Sequence, residues 1–584
     1  MIRFCFLVLA LAFTTGTVHA GEDVQLLDAR GKTLGPSQID RVSIRKSCGG
    51  CHDVDERAKS LHYNRSNPTA DAEAGDCLSC HLEGAAFNAD GTIKKVPAAV
   101  TDESCANCHS DVAEGIAKGV HGRRDKRPGD HPNCTTCHGA DPHKITPVSK
   151  MTRRDKAALC SSCHTDSARM ERYKVSTEAV SSYEASFHGK YVLRFGNGKA
   201  ATCTDCHEHH RVLASVNCEA PTNRSGITKT CSKCHSGAKR SFCMSGANHL
   251  WLKMDEHPLL RLEHLFLRVL TYGVLALLLG LIALDLRRKA FCPGCRPRAG
   301  RLAAWMVATS LSALTAGIVM AVVGAQGAEW AWTVAIGTMA LAYIVYFIRR
   351  RGPKPDPSEK TYMRFSAAQR AQHIALAASF TVLVLTGMPI RFAEVGWSHY
   401  LHLLFGGIEG ARIAHRVAAF VMTGTWIWHC FHLIYLWRKA GFSLRSWTMV
   451  PTRKDFADFV DTVKYGLGLR DQPPQYDRFQ FREKFDYFAV YWGMPIMVLS
   501  GLVLWFPVYF GNTLSQFAFA VAYIAHSDEA LLALLAILVW HLYNTHFDPE
   551  HFPMSKVWYS GALTDSEMQR EHPVEKARID KAED

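Results

Sequence analysis

The feature that most restricts this chain is a five-residue unit, Cys-x-x-Cys-His, that recurs seven times between residues 48 and 235. The first copy is Cys48, Cys51 and His52, and the second is Cys77, Cys80 and His81. The third is Cys105, Cys108 and His109, and the fourth is Cys134, Cys137 and His138. The fifth is Cys160, Cys163 and His164, the sixth Cys203, Cys206 and His207, and the seventh Cys231, Cys234 and His235. Two thiols at this spacing can add to the two vinyl groups of a haem, while the adjacent imidazole reaches the iron. One copy would also fit a redox dithiol or half of a zinc site. Seven copies, each with its histidine, point to a multihaem c-type segment. In such a segment the haems stand where a hydrophobic core would be. The chain is therefore expected to wrap them in short helices and loops with little regular structure, and no strand alternation is sustained.

An iron that carries electrons rather than binding small molecules needs a second strong ligand. Outside the seven units, the region up to residue 250 offers His62, His121, His131, His143, His188, His209, His210 and His249. The expected distal ligands are His62, His121, His143, His188, His210 and His249, with the seventh iron left to His131 or His209. Cys218 and Cys243 flank the seventh unit, either as a disulfide or as free thiols.

The segment is expected outside the cytoplasm. Arg3, the apolar run Phe4–Phe13 and the small residues around Val18-His19-Ala20 read as a signal peptide over residues 1–20. Residues 21–258 then form the periplasmic heptahaem domain.

From about residue 259 the composition changes, so the mean hydropathy of −0.06 averages two unlike halves. Apolar segments lie near 262–284, 302–326, 330–348, 371–392, 412–437, 486–509 and 528–546. Each approaches the roughly 20 residues that a spanning helix needs. The connections 285–301, 349–360 and 438–484 hold 21 Lys and Arg residues, whereas the alternating ones hold almost none. The positive-inside rule places the basic connections in the cytoplasm and the segment before the first helix outside. The expected architecture is mainly α: three helices over 259–360, a dihaem membrane domain over 361–560 with a four-helix core, and a cytoplasmic tail over 561–584. The net charge of +13 is thus largely a topology signal, with no nucleic-acid partner implied. Cys292 and Cys295 form a C-x-x-C without histidine in a cytoplasmic loop, readable as a dithiol, half a metal site or an inert pair.

Histidines within membrane helices are costly and usually functional. His415 and His429 are fourteen residues apart, and His526 and His541 fifteen. Fourteen residues is close to four turns, so such histidines share a face at two depths about 21 Å apart. Two b-type haems fit that arrangement. His415 and His526 form the outer pair, and His541 pairs inside with His373 or His429.

The stretches RFSAAQRAQHIALAASFTVLVLTGMPI, ARIAHR, FDYFAVYWGMPIMVLSGLVLWFP and IAHSDEALLALLAILVWHLYNTHF resemble the dihaem cytochrome b subunit of membrane formate dehydrogenases. They are also similar to the bacterial cytochrome b561 and hydrogenase b-subunit group. The resemblance implies His373 with His541 on the inside and His415 with His526 on the outside. It departs at Ile374, where tryptophan is usual, and in the fifteen-residue separation of the last pair. By architecture, the fusion is similar to quinol-oxidising c- and b-type cytochromes of metal-reducing bacteria. The expected function is respiratory: quinol gives electrons to two b haems, and seven c haems pass them to periplasmic c-type cytochromes. Partners are then the membrane, its quinone pool, those carriers and possible additional subunits. The reverse flow, or service as the electron conduit of a larger complex, uses the same residues.

Overall fold

The computed structural model describes residues 101–122, 131–140, 150–246, 257–291, 358–443, 447–548 and 554–583, with a few shorter pieces. Residues 1–20, expected as a signal peptide, and the first two CXXCH units lie outside the described residues. Those units are Cys48, Cys51 and His52, and Cys77, Cys80 and His81, so the expected ligand roles of these six residues rest on the sequence motif. His62, His143, His249, Cys292, Cys295 and the apolar segments 302–326 and 330–348 also lie outside the described residues. The chain divides into two compact units, Met1–Cys234 and His235–Asp584.

In the first unit several haem motifs are themselves helical turns: α1 is Cys134–His138, α2 Arg153–His164 and α3 Cys203–His207. The motif residues Cys137, Cys163 and Cys206 lie within them, each just before its histidine. Residues three and four apart share a helix face, so this conformation turns both thiols and the imidazole to one side. Each helix starts with a side-chain cap. Asn133 accepts from the Thr136 N–H at 2.8 Å, Thr152 exchanges bonds with Asp155, and the Thr202 N–H donates to Asp205 at 2.7 Å. Such caps contribute about 1 kcal/mol each. In α1 and α3 the cap immediately precedes the first cysteine, so the helix is phased to begin at the motif. Arg153 then ties α2 to α3, through the Gly198 and Ala200 carbonyls and the Asp205 carboxylate. Among the described residues of this unit the buried apolar set includes Ala157, Met170, Tyr183, Val192, Leu213 and Ile227.

The second unit begins with the short helix α4 (Arg240–Gly246) and is dominated by long helices. These are α5 (Pro258–Phe291), α6 (Ala367–Arg391), α7 (Ile408–Lys439), α9 (Phe481–Trp505) and α11 (Gln516–Leu535). The last continues through π-helical turns at Ala536–His541 and Tyr543–Phe547. Five helices among the described residues are long and apolar enough to cross a membrane. Their outward residues, including Phe420, Phe431, Leu499 and Leu538, are exposed and apolar, as a lipid-facing surface requires. α6 packs along α7, and α9 along α11. α5 closes against α11 through Leu278, Ile282, Leu535, Val539 and Trp540. A polar helix, α8 (Arg453–Leu467), precedes α9, and a short turn, α10 (Pro507–Gly511), follows it.

The last residues, read from sequence as a tail, fold into a cap. Strand β1 (Thr361–Met363) pairs antiparallel with β2 (Ala562–Thr564). Helices α12 (Asp565–Glu571) and α13 (Pro573–Glu583) follow. Glu575 is buried and paired with both Arg364 and Arg478.

Candidate haem-binding centres

Two imidazoles that share one metal hold it through bonds of about 2 Å each, and ring nitrogen lies about 1 Å from ring centre, so paired rings stand roughly 6 Å apart. In the second unit His373 and His541 have ring centroids 6.3 Å apart, and His415 and His526 6.5 Å apart. Both pairs face each other across helices. The fifteen-residue separation of His526 and His541 is explained by the π-helical turn Ala536–His541, which absorbs one extra residue and restores a shared face.

Ring orientation is set by neighbours. Thr386 Oγ1 lies 2.8 Å from His415 Nδ1 and donates its own proton to the Val382 carbonyl at 2.7 Å. Ser500 Oγ lies 3.1 Å from His526 Nδ1 and donates to the Ile496 carbonyl at 2.5 Å. Each hydroxyl has spent its one proton on its own helix, so the imidazole donates from Nδ1 and keeps its lone pair on Nε2. That is the tautomer a metal ligand needs, fixed by an outer hydrogen bond. The residue after each hydroxyl is glycine. A Cβ on Gly387 would stand 3.2 Å from His415 Cε1, and one on Gly501 3.2 Å from His526 Cε1. Val384-Leu385-Thr386-Gly387 and Val498-Leu499-Ser500-Gly501 are thus matching half-sites, a repeat that the sequence displays and that the motif reading missed.

The other pair is oriented differently. His541 Nδ1 lies 3.0 Å from the Asp486 carboxylate, which can only accept when ionised. His429 stands apart: its ring nitrogens bond Gln372 Oε1 and Tyr487 Oη, both at 2.9 Å. Its ring is also 6.5 Å from that of His432 on the same helix, so spacing alone does not select a ligand pair. Both His429 nitrogens are engaged by side chains, and His373 is the ring that faces His541.

In the first unit His138 pairs with His210 at 6.1 Å, and His164 with His121 at 6.5 Å. Burial lowers the pKa of His164, and burial followed by His209 and His138 lowers that of His210, holding both in the neutral form that can ligate. Beside His164, the Cys163 sulfur accepts from the Arg169 guanidinium at 3.2 Å, which fixes one of the two attachment sulfurs of that unit. His131 Nε2 is buried with no hydrogen-bond partner among the described residues, whereas the His209 ring packs 4.7 Å from that of His210. His109 follows the Cys105–Cys108 turn as the cap of helix Ser110–Lys118, and His188 lies in the helical turn Phe187–Gly189. Cys231 lies in helix Ile227–Ser232, with Cys234 and His235 just beyond. Cys218 is an exposed and Cys243 a buried free thiol, so neither forms a disulfide in this structure.

Residues 364–549 match the family of prokaryotic cytochrome b561, and residues 127–169 match a doubled CXXCH motif. The chain fuses c-type haem motifs to a cytochrome b561 domain. Over 204 residues, 35% of this chain and 82% of the relative, it is 22% identical to the formate dehydrogenase cytochrome b556(fdo) subunit of Escherichia coli K12. The same-named subunits of strains O6:H1 and O157:H7 match equally. The cytochrome b561 domain spans α6 to α11 and contains all four paired membrane histidines. It uses b-type haem, the CXXCH segment uses covalent c-type haem, and the whole is a multi-pass membrane protein of electron transfer.

Proposed function

We propose that this cytochrome oxidises membrane quinol and releases the electrons to periplasmic c-type carriers, with its haem c segment outside the inner membrane. His373 with His541, and His415 with His526, hold two b haems, and the seven CXXCH units hold seven c haems. Haem iron supplies the one-electron Fe(III)/Fe(II) couple. The protein supplies the ligands, fixes their tautomers and sets the electrostatic bias between the two membrane sites.

The observation that carries the direction is an asymmetry between those sites. His541 donates to a carboxylate, Asp486, while His415 and His526 face neutral hydroxyls. A carboxylate behind the ligand favours the more positively charged ferric state and so lowers the potential of that site. By the positive-inside rule His541 is the inner histidine and His526 the outer one. Electrons leaving quinol at the inner face then move outward to a less reducing site.

The test is a potentiometric titration of purified protein with menaquinol and menaquinone present. Both b and c bands should be reduced by quinol, with the lower-potential b component belonging to the His373–His541 site. Protein without b haem, or protein whose c haems quinol reduces while its b haems stay oxidised, would refute the reading. A second reading is favoured by the relatives, whose name makes them a subunit of formate dehydrogenase: the chain is then the electron conduit of a larger complex. Copurification of a stoichiometric catalytic subunit would select it.

A further inference from the structure

The seventh CXXCH unit ends at His235, and the residues just after it are pinned to the short connection between α9 and α11. Asn512 is the pin. Its side-chain Oδ1 accepts from the Lys239 N–H at 2.8 Å, and its Nδ2 donates to the Gly237 carbonyl at 3.0 Å. Its backbone carbonyl accepts from the Ser241 hydroxyl at 3.0 Å. Gly511 allows this closeness, because a Cβ there would stand 2.7 Å from Phe242 Cδ2 and 3.3 Å from Phe242 Cα. The Phe242 ring in turn lies 5.1 Å from the His235 ring, and Cys243, the next residue of α4, is fully buried. α4 packs on both α10 and α11. The same connection leads through Ser515, which caps α11, to His526.

We propose that Asn512 is a positioning residue that clamps the chain just after His235 to the α9–α11 connection, fixing where this imidazole stands for electron passage between c-type and b-type haem. The proposal rests on the reading of His235 and His526 as haem ligands. A side-chain amide suits the role because it donates and accepts at once, satisfying a carbonyl and an N–H two residues apart. Two such bonds fix the backbone that follows His235, and that backbone fixes where the imidazole stands.

The experiment uses the full-length haem-loaded protein in detergent with Asn512→Ala and Asn512→Asp. Loss of both side-chain bonds should speed amide hydrogen exchange over residues 237–246 about thirtyfold, equivalent to about 2 kcal/mol of local opening. On rapid mixing with menadiol, the b bands should be reduced as in wild type while c-band reduction slows about tenfold or more, because small misplacements are costly. Haem content and midpoint potentials should stay unchanged, which a merely structural defect would not allow. Asn512→Asp keeps the acceptor for Lys239 and loses the donor to Gly237, so it should fall between the two. Wild-type exchange and wild-type c-band kinetics in Asn512→Ala would overturn the clamp, as would slowing that accompanies loss of b haem. An unaltered c-haem spectrum in His235→Met would instead overturn the ligand reading beneath it.

Discussion

Replacing Asp486 by asparagine tests the electrostatic bias directly. Asparagine keeps the size of the side chain and an oxygen able to accept from His541 Nδ1, so the ring remains oriented while the negative charge disappears. The native contact, 3.0 Å to Oδ2, is a hydrogen bond to a charged acceptor. Such bonds are worth about 1.5–3 kcal/mol against about 0.5–1.5 for neutral ones, a difference of about 1–1.5 kcal/mol. The ferric site carries one more positive charge than the ferrous site, so the lost stabilisation falls mainly on the ferric form. For a one-electron couple a tenfold change is about 59 mV, which converts that difference to a rise of about 40–65 mV.

The assay is an anaerobic titration of the b-band absorbance, fitted to two components. The lower component should rise by that amount while the upper one stays in place, narrowing the gap between them. Ser500→Ala is the matching control. It removes a neutral hydrogen bond from His526 Nδ1 and should shift only the upper component, by no more than about 65 mV. If Asp486→Asn leaves both components unmoved, or moves the upper one, the carboxylate does not set the order of the two sites. Inward-to-outward flow is then not driven by this charge.

Three further outcomes are expected. His373→Ala should lower the b-haem content from two to one per chain by pyridine haemochrome assay, whereas His429→Ala should retain both, because the His429 nitrogens are committed to Gln372 and Tyr487. His131→Ala should create one high-spin c haem visible by electron paramagnetic resonance, and His209→Ala should not, since the buried Nε2 without a partner is on His131. The C-terminal cap should loosen in mild acid. Burial, then Arg364, lowers the His572 pKa to about 4. Its neutral form is therefore required in the folded cap, stability is intact above the unfolded value of about 6.5, and about 3 kcal/mol is lost as pH falls towards 4. Hydrogen exchange over residues 562–583 should accelerate across that window, and His572→Gln should flatten the dependence.

What the sequence made legible follows from how local each requirement is. Thioether attachment needs two thiols and an imidazole within one turn, so the CXXCH units announce themselves, and helices at Cys134–His138 and Cys203–His207 are the same requirement seen in three dimensions. Distal ligands have no such constraint. That His121 meets His164 and His210 meets His138 depends on the path of the chain between them, which spacing does not carry. Spacing likewise leaves His373 and His429 open, because both fit the helix phase; the resemblance implies His373, and the bonds of His429 to Gln372 and Tyr487 favour the same choice. Asp486 gave no signal, since an acid near the end of a membrane helix reads as interfacial. The fifteen-residue interval looked like a mismatch until the π-helical turn supplied the missing phase.

One signal was present and unread: the two hydroxyl–glycine pairs at 386–387 and 500–501. Their geometry bears on why the two membrane sites differ. At the His415–His526 pair each histidine is backed by the same local device on equivalent neighbouring helices, α6 beside α7 and α9 beside α11. A site built from two matching halves presents both ligands with the same neutral acceptor. The His373–His541 pair has no such symmetry, for its histidines come from the start of α6 and the π-helical extension of α11, and its acceptor from α9. Only there can one side chain alter the charge behind one ligand without disturbing a repeated element. A potential difference between two otherwise alike imidazole pairs is most simply written at the unsymmetrical site, and Asp486 stands there.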